Sequence, residues 1–417
     1  MLNTKAVDLV VVGGGPAGMA AAVAAAEAGV EEIVLLERQA KLGGILPQCI
    51  HNGFGLRYFK EELTGPEYAY RFMLELKKKP RIQVKTETMV VTITPDRQVV
   101  TTSAAEGLVC YQARAVILAM GCRERPRGAI NIPGTRPAGI YTAGSLQYLL
   151  NIEGFLPGRT AVILGSGDIG LIMARRLTLE GIRVRAVLEL MPYSNGLNRN
   201  VVQCLEDFNI PLYLSHTVTA IHGQGRVEKV SVAPVDADLQ PLVEKGFDLA
   251  CDTLVLSVGL IPENELSLQA GVELDPATGG PVVDSFYQTT VEGIFACGNV
   301  AHVHDVVDDV SAESAIAGRA AAAYLRGEIG GNRWLPVKAG RNIRSVVPQR
   351  IVVGQATPLY IRARFPEKNA QLNVGHGHSK RRIVSPGETI YYTVKPEDIC
   401  SQEGFVRVGL EGGKVDD

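Results

Sequence analysis

Apolar residues along this chain gather into short, nearly unbroken runs that alternate with glycine turns and alanine-rich stretches. The first run lies in Val7–Gly18, VDLVVVGGGPAG. It predicts a buried parallel strand, because no polar residue alternates through its end. Glycines follow at Gly13, Gly15 and Gly18, and then a close-packing helix over 19–28. The next apolar run, LLE, closes on Glu37. Residues 39–56 have much glycine and little periodicity, which predicts a loop or broken helix. A helix is expected over 66–79, with Pro66 near its start and lysines at its end. Alternation over 82–93, 97–102 and 108–113 predicts an antiparallel excursion, and AVILA at 115–119 returns the chain to the parallel sheet.

The same pattern then recurs. Residues 160–164 form an apolar run that ends on Gly165, Gly167 and Gly170, a helix is expected over 171–180, and VRAVLE closes on Glu189. From Gly13 to Glu37 is 24 positions, and from Gly165 to Glu189 is also 24. Hairpin-like segments at 212–221, 227–233 and 247–251 precede a second return strand over 252–258. This internal duplication predicts two nucleotide-binding domains. A strand over 289–298 and a helix over 311–326 complete the first sheet, so the second domain is inserted into the first. Beyond Trp334, short β segments (IVVG, LYIRARF, IYYTV) separated by proline and glycine predict a small all-β domain. The expected fold is α/β: two Rossmann-like dinucleotide-binding domains, at 1–125 with 280–332 and at 150–275, followed by a β-rich domain at 335–417.

Composition narrows the function classes. A net charge of -2 over 417 residues gives no footing for nucleic acid or an acidic membrane surface. No apolar run approaches the ~20 residues of a membrane span, and no charged leader precedes an apolar segment, so the expected location is cytoplasmic. The seven cysteines include no CxxC pair. That argues against an iron–sulfur cluster, a structural zinc or a thioredoxin-like motif built by this chain alone.

The glycine turns carry the chemistry. They let backbone N–H groups and a helix N-terminus approach a pyrophosphate, while Glu37 and Glu189 stand where a carboxylate accepts the hydroxyls of an adenosine ribose. With these residues in hand, the chain resembles the two-dinucleotide-binding-domain flavoproteins of the pyridine nucleotide–disulfide oxidoreductase superfamily over roughly residues 7–330. The resemblance implies FAD at Gly13, Gly15, Pro16, Ala17, Gly18, Glu37, Arg38, Gly43 and Gly44. It implies NAD(H) at Gly165, Gly167, Asp168, Ile169, Gly170 and Glu189. Ala119 and Gly121, with Arg123 and Pro126, are similar to the family's crossover stretch, to which Gly259 is added. IFACGN, with Gly298 and Asn299, resembles the closing flavin motif, although Asn299 stands where the family has an aspartate that binds the ribityl chain. A carboxylate at Glu189 favours NAD over NADP, with Arg183 and Arg185 on the same run able to soften that preference.

Candidates for catalysis are fewer. The family's disulfide reductases carry two nearby cysteines, whereas here Cys49 stands alone in ILPQCIHNGFG, either a packed thiol or a one-cysteine redox centre. His51 beside it either relays a proton or fixes the loop. His302 and His304, with Asp305, Asp308 and Asp309, are expected to make polar contacts to the flavin or to a partner's substrate rather than to bind metal. Hydride transfer needs no protein nucleophile, only alignment and charge. The CIHNGFGLRYF and HVHDVVDDVS stretches and the unusual tail resemble, more narrowly, the NAD- and FAD-binding subunits of bacterial glycerol-3-phosphate and hydroxyproline or opine dehydrogenases. That implies an electron-transfer subunit beside a second dehydrogenase flavoprotein and an iron–sulfur or cysteine-rich partner, with a homo-oligomer compatible. The alternative is a free-standing NADH-dependent reductase or oxidase of a disulfide, peroxide or quinone. The tail, with Lys380, Arg381 and Arg382, is then a docking surface or a stabilising appendage.

Overall fold

A computed structural model of the chain describes residues 3–329, 334–399 and 404–412; Cys400 and the ends of the expected domains at 330–332 and 413–417 lie outside them. The chain divides into two compact units, Met1–Cys122 with Pro262–Asp417, and Arg123–Ile261. Residues 262–275, expected with the second domain, group with the first.

In the first unit the run at the N-terminus forms the strand Asn3–Val12, flanked in parallel by Ile33–Leu36 and Gly107–Leu118. Val10 pairs with Val34 on one side and Val116 on the other, and all three are buried. That double burial is why the run lacks polar alternation. Ile294–Ala296 extends the sheet beyond Gly107–Leu118. Residues 82–93 are not one strand of an excursion. Ile82–Lys85 is a parallel edge strand on Ile33–Leu36, and the antiparallel part starts only at Thr88–Ile93. The break is at Glu87, whose φ of 50° turns the chain; its N–H donates to Gln39 O at 3.0 Å.

The helix Pro16–Glu27 buries ten of its residues and packs against Val307–Leu325. Small side chains set their separation. A Cβ on Gly318 would lie 2.2 Å from Ala21 O. The helix Gly65–Lys77 begins at Thr64, whose N–H donates to Glu67 Oε2 at 2.8 Å. That pairing satisfies an otherwise free donor at the turn.

The β-rich tail belongs to this unit. It holds a five-stranded and a three-stranded sheet around one apolar core that includes Ile343, Ile361, Leu372 and Val408. Its contacts with the rest of the unit are specific. Ser285 Oγ and Thr357 Oγ1 share a hydrogen bond of 2.8 Å, and Val283 N–H donates to Gln349 Oε1 at 2.9 Å.

The second unit repeats the first plan. Its sheet runs Leu212–Leu214, Arg183–Glu189, Thr160–Leu164, Thr253–Leu256, Ile140–Thr142, all parallel. A separate antiparallel sheet contains His216–His222, Lys229–Pro234 and Phe247–Ala250.

Gly318→Ala is expected to destabilise the protein by about 1–3 kcal/mol, the range for overpacking a filled contact. Gly128→Ala, where a Cβ meets nothing within 4 Å, is expected to leave the urea midpoint unchanged. Equilibrium urea unfolding of both variants checks this.

Candidate functional site

Both glycine turns are closed in the same way. Gly13 N–H donates to Leu36 O at 2.8 Å and Gly165 N–H to Leu188 O at 2.7 Å. Both glycines have a positive φ, 108° and 102°, and a Cβ would meet Ala119 O at 2.4 Å or Ser257 O at 2.0 Å. Gly18 and Gly170 are closed off too, since a Cβ would lie 1.8 Å from Gly13 O and 2.5 Å from Gly165 O. The middle glycines differ. The nearest atom to a Cβ on Gly15 is Gly44 Cα at 3.8 Å, and on Gly167 it is Ser257 Oγ at 3.7 Å. These open faces sit at the N-termini of Pro16–Glu27 and Asp168–Leu179, where a pyrophosphate meets unsatisfied N–H groups. The turns therefore fit two dinucleotides.

Glu37 and Glu189 are buried and do more than await a ribose. Glu37 accepts the N–H of Gly14 at 2.8 Å and of Gln39 at 2.7 Å. Glu189 accepts Ser166 N–H at 3.0 Å, Ser166 Oγ at 2.6 Å and Met191 N–H at 2.9 Å. Each carboxylate latches its own glycine turn, and of a carboxylate's roughly four acceptor positions about two remain on Glu37 and about one on Glu189 for a ribose. Gly43 and Gly44, with φ of 114° and 57°, bring the loop onto the first turn, where Gly43 N–H donates to Gly14 O at 2.9 Å.

Asp168 turns its side chain away from the turn, to Leu197 N–H at 2.8 Å and Asn200 Nδ2 at 2.6 Å. Both contacts go to Oδ1. Ile169 packs on the second unit's core. Arg38 is exposed, and Gly121 and Gly259 border open space. Gly298 presses on Ala17, 2.7 Å from where its own Cβ would be. That contact ties the closing flavin motif to the first glycine helix.

The thiol of Cys49 is packed away. It is 8% exposed, its Sγ contacts Ile45 O at 3.4 Å, and burial pushes its pKa up to about 12. A thiol in that state is neither nucleophile nor ready electron store. Among the described residues no cysteine is paired in a disulfide. His51 is half-buried, with Nδ1 3.0 Å from Asn52 O and its ring 5.0 Å from that of Phe54. Its contacts fix the loop.

The segment after Asn299 brings the expected histidines onto a group that sequence reasoning missed, Glu313. His302 Nε2 and His304 Nε2 lie 2.7 and 3.0 Å from Glu313 Oε2, and Glu313 Oε1 accepts Gly298 N–H at 2.8 Å. Glu313 is wholly buried. Its only signal in the sequence is a lone acid on the apolar face of SAESAIAG. Asp308 accepts N–H groups from Gly55, Arg57 and Tyr58 at 3.1, 3.2 and 2.7 Å, pinning the loop after Cys49 to the helix start. The tail adds Tyr360, 5.2 Å ring to ring from His302, Arg362 paired with Asp305, and Thr389, whose N–H donates to Asp305 Oδ2 at 2.8 Å. Nothing local in the sequence marks these positions, because they lie on β segments that fold back onto residues 302–309.

No helix among the described residues is long and apolar enough to cross a membrane. The pyridine nucleotide-disulphide oxidoreductase family model matches residues 7–324. The chain is 30% identical over 285 residues to the HcnB component of the hydrogen cyanide synthase of Pseudomonas protegens, covering 63% of this chain and 59% of that protein. It is 28% identical over 316 residues to one subunit of the opine oxidase of Agrobacterium tumefaciens, covering 71% and 61%. It thus spans about three fifths of the length of these curated relatives. Its fold is similar to the crystal structure of T. acidophilum thioredoxin reductase, with a TM-score of 0.64 at 24% identity, covering 77% of this chain and 99% of that one. From the paired glycine turns and the family match, the chain belongs to the pyridine nucleotide-disulphide oxidoreductase family, FAD-dependent NAD(P)H oxidoreductases.

Proposed function

We propose that this chain is an NADH-dependent flavin reductase whose reduced FAD passes electrons directly to a quinone-like acceptor. The observation that carries the reading is Cys49. A buried thiol with its pKa raised to about 12 is a poor relay, which argues against a disulfide acceptor reduced through Cys49. The same loop presents exposed apolar side chains, Ile45, Ile50 and Leu56, that suit a flat, apolar acceptor better than a charged one.

NADH supplies a hydride to the flavin, and the chain's residues supply place and charge. The first glycine turn and Glu37 hold the FAD adenosine and pyrophosphate, and the second turn and Glu189 hold NADH. Gly298, pressed on Ala17, keeps the closing flavin motif in register with the first glycine helix.

A second reading has a specific observation behind it. The hydrogen cyanide synthase and opine oxidase relatives are both named as subunits. In that reading the chain is the NADH-linked subunit of a glycerol-3-phosphate, opine or similar dehydrogenase, and its flavin exchanges electrons with a second flavoprotein through an iron–sulfur partner.

Anaerobic NADH titration of the purified chain distinguishes the redox stores. Bleaching of the flavin after about one equivalent is expected, because hydride transfer moves an electron pair per NADH. About two equivalents would point to an additional redox centre and would sink the reading. Steady-state reduction of a soluble quinone by the chain alone supports the first reading. Quinone turnover only with a co-purifying flavoprotein supports the second. Cys49→Ser is expected to keep kcat within about twofold, measured with the same quinone. Glu189→Ala is expected to raise KM for NADH roughly tenfold, the loss of about 1–2 kcal/mol of charge-assisted hydrogen bonding. NADH and NADPH saturation curves check it, and a preference for NADPH in the unmodified chain would contradict the role given to Glu189.

A further inference from the structure

The internal duplication runs past the two acids. Gly13 and Gly165 are 152 positions apart, as are Glu37 and Glu189. At the same spacing, Gln39 N–H donates to Glu37 Oε1 at 2.7 Å and Met191 N–H to Glu189 Oε1 at 2.9 Å. Further on, Gly43 N–H donates to Gly14 O at 2.9 Å, and Asn195 N–H donates to the Oγ of Ser166, the residue in the place of Gly14, at 3.1 Å. A helical turn then starts at Leu46 in one unit and at Asn198 in the other, again 152 positions apart. Each unit folds the chain after its acid back onto its own glycine turn.

The two loops are held by different means. In the first unit the tie is backbone to backbone, Leu46 is buried, and the glycine helix begins with Pro16, which has no polar side chain. In the second unit side chains make the ties. Ser194 Oγ donates to Ser166 O at 3.4 Å. Asp168, which begins the second glycine helix in the place of Pro16, accepts Leu197 N–H at 2.8 Å and Asn200 Nδ2 at 2.6 Å. The approach is close, since a Cβ on Gly196 would lie 2.8 Å from Ser166 O and 3.1 Å from Asp168 Oδ1. Asn198 is exposed, so polar ties at Asp168 and Ser166 stand where the first loop has apolar burial.

We propose that residues 194–200 are the cover of the NADH site and that Asp168 is the positioning residue that latches them onto the second glycine turn. This rests on NADH occupying that turn. A loop already latched does not have to be ordered when the dinucleotide binds, whereas a loose one subtracts its ordering entropy from the affinity. The contrast between the units follows the use of each site. A cofactor that stays bound is served by a loop anchored in the core. A nucleotide that enters and leaves at every turnover is served by a loop held by a few hydrogen bonds.

The test uses the FAD-loaded full chain and NAD⁺, which binds without reducing the flavin. Asp168→Ala is expected to weaken NAD⁺ binding about tenfold by calorimetry, the effect of losing one charge-assisted latch. KM for NADH is expected to rise by the same factor, with kcat within about twofold and flavin content unchanged. Asp168→Asn keeps an Oδ1 that accepts both donors, so its NAD⁺ affinity and KM are expected within about twofold of the unmodified chain. Unchanged affinity in Asp168→Ala overturns the proposal, and so does an equal loss in both variants. Where Asp168→Ala fails to fold, hydrogen exchange of the unmodified chain decides. NAD⁺ is expected to slow exchange in peptides covering 165–170 and 194–200 together. Slowing at 165–170 alone overturns the cover. Slowing in neither peptide takes NADH away from the second turn and defeats the site assignment itself.

Discussion

A buried carboxylate that accepts the N–H of a glycine turn is the contact on which each dinucleotide domain depends. In the first unit Glu37 reaches back from the end of Ile33–Leu36 to Gly14 N–H, and in the second Glu189 reaches back to Ser166 N–H. Each joins the end of the second strand to the turn after the first. The turn would otherwise leave backbone donors without partners in a buried position, at about 1–3 kcal/mol each. Because the same side chain retains a free acceptor position, the group that stabilises the turn is also free to accept a ribose hydroxyl. Selection for folding and for cofactor binding therefore act on one atom pair.

The two dinucleotide domains were legible because their signals are local and repeated. Parallel strands buried on both faces read as apolar runs, and the recurrence of 24 positions between glycine and acid tied the runs into one plan. The errors came where the chain relies on distant partners. Residues 82–93 alternate throughout, but the turn at Glu87, held by Gln39, divides them between two strands with different neighbours. Asp168 follows the glycines in sequence, and one of its carboxylate oxygens is engaged by a loop nearly thirty residues on, which its position did not reveal. Glu313 was hidden in a helix that reads as core. Alanines dominate that helix because it lies against Pro16–Glu27, and the one acid on the packed face is retained for the histidines before it.

Cys49 illustrates how burial decides chemistry that sequence leaves open. In the one-dimensional reading it neighbours a glycine loop, a histidine and the expected flavin, which are the surroundings of a reactive thiol. In the fold, Gly65 packs so closely that a Cβ there would stand 2.8 Å from Cys49 Cβ, and Gly65 N–H donates to Cys49 O at 2.9 Å. The loop is sealed at that point. What remains exposed is the apolar edge formed by Ile45, Ile50 and Leu56.

The tail has a consequence for the order of events during synthesis. Asp305 receives Arg362 and Thr389, Asp309 receives Tyr391, and the histidine rings receive Tyr360. All of these partners are translated after the glycine turns, the flavin motif and the helix Val307–Leu325. A nascent chain that has finished both dinucleotide domains still lacks the wall that fixes residues 302–309. Those contacts are therefore the last to form, and a chain that stops before Tyr360 has its glycine turns but none of the tail's contacts to residues 302–309.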